Sequence, residues 1–339
     1  MKLLILLFPF LLYGVTDTSP QRIGTEASAV DDTAHVMTGV TNTHLDKLRY
    51  LIKIDPLMTK AGHFYSVWNT NVLKFGDKFH TNVHPEEHIT SEATLLGFDC
   101  RTLSSNIFGI TAGYIHSYFT QAPHADHGTT NGGCLAFYSS VDVEPCYLEF
   151  ALWGIYQLGR NKRNIQTDTV HTTGIASIPN WQLEPHFEVG INIPRKFGRF
   201  TPYTTCDYVH TWQGSYTEHG AGIYNASQAN YQFNSLHTEF GFKFHEFWSF
   251  NWGLLLVKQK VYASFDRAFA PSSTIFEQGV QQTFISPADH TFTPFFCISA
   301  EIAPSIGLES PITLRLDYDG KFSYDRMANK IQLLISKIF

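Results

Sequence analysis

Apolar and polar residues alternate along most of the chain beyond residue 60, which is the pattern of β-strands with one apolar face. Near the C-terminus, for example, Ile312, Leu314 and Leu316 alternate with Thr313 and Arg315. This period of two predicts an all-β fold. The predicted strands are 63–75, 91–103, 106–119, 132–141, 146–160, 180–193, 200–213, 231–246, 249–265, 291–303, 311–322 and 327–339.

Two kinds of fold share this alternation. In a soluble sandwich the apolar face packs in a core, whereas in a membrane barrel it meets lipid and the polar face lines the lumen. The connections favour the barrel, because long ones alternate with short ones, as in outer-membrane proteins. The long connections are 76–90, 120–131, 161–179, 214–230 and 266–290. We therefore predict a transmembrane antiparallel β-barrel of about 12 strands, with both chain ends in the periplasm.

Composition agrees with a barrel outside the cytoplasm. Charged residues make up 16% of the chain and aromatic residues 15%, whereas a typical soluble domain has about 25% charged residues. The net charge of −6 argues against nucleic acid as a partner. Beyond residue 16 the sequence has no apolar run long enough for a spanning helix, so an embedded chain has to close into a barrel.

The N-terminus has the features of a secretory signal peptide. Lys2 precedes an apolar run over residues 3–13, and small or polar residues follow it. This run is shorter than the ~20 residues that a membrane-spanning helix needs. We expect residues 1–16 to be a signal peptide that directs export.

Residues 200–339 resemble the C-terminal β-barrel translocator domain of autotransporters (type V secretion). The loop Ser215–Gly222 is similar to the family's aromatic-Thr-Glu-x-Gly-Ala motif, and Asn234–Gly241 is similar to its Ser-Leu-Arg-Thr-Glu-Leu-Gly strand. Further matches are Phe200–Tyr203, Leu316–Gly320, and Ala263–Phe265 followed by Ala270-Pro271. Leu96–Asp99 weakly echoes an early-strand Gly-x-Asp motif.

The resemblance implies a twelve-stranded outer-membrane barrel that lets a passenger segment reach the cell surface. It also implies a helix that fills the pore, and Thr43–Met58 has helical spacing at Leu45, Leu48, Leu51 and Ile52. A short periplasmic helix fits that spacing equally well. We divide the mature chain into a periplasmic or plug segment, 17–60, and a barrel domain, 61–339.

We expect no long passenger domain, because only about 45 residues lie between the signal peptide and the first strand. We expect a barrel that translocates or displays this short segment, or a surface protein. The alternatives are a small diffusion porin or adhesin-like protein, and, last, a barrel enzyme. Expected partners are outer-membrane lipid and, by resemblance, the β-barrel assembly machinery. The oligomeric state is left open.

A central Arg or Lys that faces lipid costs about 2–4 kcal/mol, so the charged residues on the polar rows have to face the lumen. We take them as the candidate functional residues. The predicted lumen-lining residues are Asp99, Arg101, Glu149, Glu239, Lys243, Glu301, Arg315, Asp317, Asp319 and Lys321. Phe339 ends the last alternating strand and is similar to the C-terminal assembly signal of outer-membrane barrels.

No catalytic, cofactor or metal site is assigned from the sequence. His80, His84 and His88 cluster with acidic residues in a connection, but their spacing matches no metal signature. The pairs Asp207–His210 and His237–Glu239 lack an identified nucleophile. Five cysteines leave the disulfide pairing open; Cys134 and Cys146 lie on neighbouring strands.

Overall fold

The computed structural model of the 339-residue chain describes most of the region beyond residue 63 and part of one N-terminal helix. The described residues are 37, 39–41, 44–46, 48, 49, 64–78, 86–102, 106–122, 126–166, 170–196, 198–251, 253–269, 272–277, 280–285, 293–306, 312–323 and 326–338. The expected signal peptide and Phe339 lie outside them. None of the helices within the described part is both long and apolar enough to cross a bilayer.

Among the described residues, the chain forms twelve long strands and five short ones. The long strands are β1 (Phe64–Lys78), β2 (Glu87–Arg101), β3 (Ile107–Gln121), β4 (Asp126–Val143), β5 (Cys146–Gln166), β6 (His171–Ile191), β8 (Gly198–Gln213), β11 (Tyr231–Phe250), β12 (Gly253–Phe269), β15 (Thr293–Ile306), β16 (Ile312–Phe322) and β17 (Arg326–Ile338). The short ones are β7 (Ile193–Arg195), β9 (Tyr216–Thr217), β10 (Ala226–Gln228), β13 (Ser272–Glu277) and β14 (Val280–Ile285). A 3-10 turn spans Gly222–Tyr224.

Each long strand pairs antiparallel with its neighbours, and β17 pairs with β1 to close the sheet. Thr70 lies opposite Leu334 at this seam, and β8 pairs with β11 across the excursion that contains β9 and β10. Closure leaves no long strand with an unpaired edge, which is what a lipid environment demands. The predicted twelve-stranded antiparallel barrel is thereby confirmed.

The barrel wall is apolar outside and ionic inside. On β16, Leu316 is 55% exposed, whereas its neighbours Arg315 and Asp317 are 0% and 2% exposed. A soluble protein shows the opposite arrangement, with charged groups outside and large apolar groups inside. The sandwich alternative is therefore wrong, and the outer surface is suited to hydrocarbon.

We expect Leu316→Arg to destabilise the barrel by about 2–4 kcal/mol, because it puts a guanidinium midway along a lipid-facing row. Ile312→Arg, at the first residue of the same strand, should cost about 0–1 kcal/mol because the side chain reaches the interface. Urea unfolding in lipid vesicles measures both values. Equal costs at the two positions would contradict a hydrocarbon environment around β16.

Several strands extend further than the alternation indicates. The predicted connection 120–131 is mostly strand, because β3 runs to Gln121 and β4 starts at Asp126. The predicted connection 161–179 is likewise shortened by β5 and β6. Both faces of these extensions carry polar residues, so the backbone stays paired while the period-two signal disappears. The connections 214–230 and 266–290 contain β9, β10, β13 and β14, which form a second sheet.

The five cysteines are all free. Cys134 lies opposite Ile155 and Cys146 lies opposite Val143, so the two thiols are separated by nine positions along β4. At about 3.3 Å per residue this is roughly 30 Å, far beyond the reach of a disulfide. Neighbouring strands alone do not bring these cysteines together, because their register keeps them apart.

Candidate functional site

The ten charged residues that the sequence singles out all lie on inward-facing positions of the long strands. Eight are buried, while Asp319 and Lys321 are partly exposed. Arg101 is near one end of β2, with its guanidinium 5.9 Å from the ring of Phe64. The others are distributed over β2, β5, β11, β15 and β16, so the charge encircles much of the interior.

Several of these charges are paired with partners on other strands of the barrel. Arg315 Nε lies 3.0 Å from one Glu301 oxygen, and Lys258 Nζ lies 3.1 Å from the other. Lys260 donates to Glu239 at 2.8 Å, and Lys321 is 3.9 Å from the same carboxylate. Paired charges tolerate burial far better than isolated ones.

Asp319 and Asp317 extend this ionic wall. Asp319 accepts a hydrogen bond of 2.8 Å from the Tyr262 hydroxyl, and Lys330 Nζ lies 3.7 Å from it. Asp317 lies 3.5 Å from Arg315 and accepts from Ser299 at 3.3 Å. Acidic and basic side chains thus alternate across β12, β15, β16 and β17.

The N-terminal helix, meaning the described helical residues 37, 39–41, 44–46, 48 and 49, lies inside the barrel. Its apolar side chains Met37, Val40, Leu45 and Leu48 are buried and recur at helical spacing. They join a cluster with inward residues of the wall, including Trp68. One face of this helix therefore packs against the β1 side of the barrel. Thr43, Lys47 and residues 50–58 of the predicted helix Thr43–Met58 lie outside the described part of the chain.

The other face of the N-terminal helix is ionic and reaches the opposite wall. Asp46 lies 2.8 Å from Lys243 on β11 and 3.5 Å from Lys258 on β12. Arg49 lies 2.8 Å from Glu149 on β5, with its guanidinium 3.4 Å from the Tyr147 ring. One turn of helix thus bridges several strands through fully buried charges.

Asp99 anchors the helix on the apolar side. His44 lies 2.6 Å from Asp99, and Ser66 donates to the same carboxylate at 3.0 Å. Trp68 donates to the Tyr138 hydroxyl at 3.0 Å, and Tyr138 in turn donates to Asp99. The network satisfies a carboxylate that has no exposed surface.

Two glycines make room for this network. A Cβ at Gly97 would lie 2.1 Å from Cε2 of Trp68, and one at Gly109 would lie 2.2 Å from the ring of Tyr138. Both aromatic rings therefore lie flat over a neighbouring strand that has no side chain there. In the Gly97-Phe98-Asp99 sequence, the glycine thus leaves space for the Trp68 ring and the aspartate accepts the hydrogen bonds of the network.

A cavity lies between the N-terminal helix and the strands of the barrel wall. Gly39 and Asp46 border it on the helix side. Its other lining residues include charged groups of both signs, six lysines and five carboxylates: Lys74, Lys243, Lys258, Lys260, Lys321, Lys330, Glu188, Asp207, Glu239, Asp317 and Asp319. A cavity lined by so many charged side chains is better suited to water or an extended polar polypeptide than to an apolar ligand.

Sequence reasoning missed several residues of this interior. Lys258 and Lys260 lie in a predicted strand but were not singled out, and the role of Asp46 and Arg49 depends on the helix entering the barrel. The suggested pair Asp207–His210 is wrong, because residues three apart on a strand point to opposite faces. Asp207 bonds His186 instead, and His210 bonds Asn234. The alternation within 180–193 would have revealed His186 and Glu188 as inward residues.

The family comparison identifies the chain. The model of the autotransporter beta-domain matches residues 67–302, which is well over half of the sequence. The chain belongs to the autotransporter β-domain family. The resemblance seen in the C-terminal motifs is thereby confirmed and extends to the first strand. No curated protein sequence matches the chain.

Solved autotransporter barrels share this fold. The translocator domain of autotransporter NalP from Neisseria meningitidis has a TM-score of 0.70 at 14% identity, with 92% of this chain and 97% of that chain covered. The β domain of the Bordetella autotransporter BrkA has a TM-score of 0.52 at 10% identity, with 81% and 99% covered. This autotransporter barrel is therefore an outer-membrane protein of the type V secretion class, and the porin and adhesin alternatives are not favoured.

Proposed function

We propose that this autotransporter barrel holds the N-terminal helix in its lumen and displays or translocates the segment that contains it, residues 17–60, across the outer membrane. The observation that carries the proposal is the pairing of Asp46 with Lys243 on β11 and of Arg49 with Glu149 on β5. A helix docked through buried ion pairs to several strands is held in one position, because leaving either partner unpaired inside the barrel is costly. The barrel domain in this proposal is 61–339.

The inward-facing charged residues determine how the lumen interacts with the N-terminal segment. In our proposal, Asp99, Glu149, Lys243 and Glu301 hold the segment or its hydration water, and the remaining predicted residues keep the cavity wet. Mixed signs suit the passage of an unfolded polar chain, because no single charge on that chain is held permanently. We propose no catalytic role for the barrel, because it belongs to the autotransporter β-domain family, whose barrels are translocators rather than enzymes.

Surface labelling tests the display of the segment. An epitope inserted after Thr25 should bind antibody on intact cells, because the segment emerges at the outer face in this proposal. The matched control is the same epitope between Glu144 and Pro145, in the short turn between β4 and β5, which should be hidden until the outer membrane is permeabilised. If the Thr25 epitope needs permeabilisation too, the segment stays periplasmic and the proposed function fails.

Export and assembly depend on the two ends of the chain. We propose that residues 1–16 are removed as a signal peptide and that Phe339 is read by the β-barrel assembly machinery. Deleting Phe339 should lower the amount of heat-modifiable barrel in the outer membrane several-fold, whereas Phe339→Trp should preserve it because an aromatic end remains. Unchanged barrel levels after the deletion would rule out this role.

A further inference from the structure

Three inward residues on β5 and β6 bring possible metal ligands together inside the barrel. Glu149 lies directly opposite Glu188 in the strand register, and His186 lies on the same face two positions before Glu188. One ligand atom from each residue falls within 4.8 Å of the other two. All three side chains are buried.

His186 is prepared as a ligand by its neighbour. Its Nδ1 bonds the Asp207 carboxylate on β8, and because a carboxylate accepts, Nδ1 is the donor. The free lone pair of the ring is then on Nε2, and within the described residues this atom has no hydrogen-bond partner although His186 is only 1% exposed. A histidine that is oriented by a carboxylate on its far nitrogen is the usual arrangement in metal sites.

We propose that Glu149, His186 and Glu188 bind a divalent transition-metal cation, of which Zn²⁺ is the natural probe. One nitrogen and two carboxylate oxygens match the ligands that Zn²⁺ accepts, with a fourth position for water. In a tetrahedral site with bonds of about 2.1 Å, ligand atoms lie roughly 3.4 Å apart. The three ligand atoms therefore have to approach one another by up to about 1.4 Å around the ion.

The proposed site is coupled to the N-terminal helix. Glu149 pairs with Arg49 at 2.8 Å, and Glu188 accepts from Lys243 at 2.6 Å and from the Tyr147 hydroxyl at 2.7 Å. A bound cation competes with Arg49 and Lys243 for the same oxygens. Metal binding and docking of Arg49 consequently oppose each other, and removal of Arg49 strengthens the site.

Zinc titration of the folded full mature chain in detergent, stripped of metal with a chelator, tests the proposal. Competition with a chromophoric chelator gives the affinity and stoichiometry, and Co²⁺ absorption reports a nitrogen- and oxygen-ligated site. We expect one Zn²⁺ per chain. His186→Asn, which keeps a donor for Asp207 but loses Nε2, should weaken binding about 100-fold, and Asp207→Asn about 10- to 100-fold.

Three further variants make the outcome decisive. His116→Asn is the matched control, because His116 faces outward and bonds Asn131, so its Zn²⁺ affinity should equal that of the parent chain. Glu188→Gln repeats the loss if His186→Asn does not yield a heat-modifiable barrel. Arg49→Met should tighten binding by about tenfold, since a competing charge beside Glu149 is removed.

The proposal is overturned if the parent chain binds no stoichiometric Zn²⁺, or if His186→Asn and Glu188→Gln bind it as tightly as the parent. An unchanged affinity in Arg49→Met would show that the ion does not lie at Glu149. These outcomes are independent of the Thr25 epitope test, so failure of the metal site leaves the proposed display function standing.

Discussion

Replacing Asp46 with Asn and Arg49 with Met is expected to open the barrel and raise its ion conductance several-fold. The double variant removes the helix charges that pair with Lys243, Lys258 and Glu149. Breaking a buried pair by removing one partner typically costs 3–5 kcal/mol. Because a cavity adjoins this interface, we expect about 3 kcal/mol here.

A loss of about 3 kcal/mol shifts the ratio of docked to undocked helix by about a hundredfold. Single-channel recording of the full mature chain in planar bilayers measures the result, with long open events expected from the double variant and mostly closed traces from the parent. Asp46→Glu is the control, because it preserves the charge and should preserve the closed state. Identical conductance in all three proteins would show that these ion pairs do not hold the helix in the lumen.

The second large effect is expected at Gly97. Gly97→Ala places a methyl group 2.1 Å from the ring of Trp68, and this ring is held by its hydrogen bond to Tyr138. Overpacking of a filled site costs about 1–3 kcal/mol. The displaced ring also loosens the network around Asp99, so the His44 contact weakens with it.

A double-mutant cycle isolates this contact. Trp68→Ala alone should cost about 3–5 kcal/mol, but in that background Gly97→Ala should cost almost nothing, because the ring it meets is gone. Gly133→Ala is the matched control, since a Cβ there meets a single backbone oxygen at 3.7 Å. Urea unfolding in vesicles gives the four free energies. Additive costs for Gly97 and Trp68 would contradict the observed packing.

The alternation of the chain predicted the wall of the barrel well. Apolar rows such as Leu314 and Leu316 indicated the outer face, and the intervening Arg315 and Asp317 indicated the inner one. The prediction succeeds because successive residues of a strand face opposite sides of the sheet and charged groups are excluded from lipid. A short stretch of sequence is therefore enough to assign both faces. The even strand number followed from the alternating connection lengths, and the family from C-terminal motifs.

Other features depended on residues far apart in the chain. The ends of β3 to β6 were mispredicted because polar extensions carry no alternation, although their backbone groups still pair. The contacts of Asp99 with His44 and Tyr138 join three segments, and the sequence contains no local signal for such pairings.

Local sequence thus determined which side of each strand faces lipid and which faces the interior, since that choice is made residue by residue against the surrounding medium. Closure of the sheet decided what meets inside it: Asp46 with Lys243, Arg49 with Glu149, and His186 with Asp207. These contacts depend on register, curvature and the entry of a helix from outside the sheet. They are properties of the closed barrel, because closure brings inward-facing side chains from strands far apart in sequence close together in the lumen.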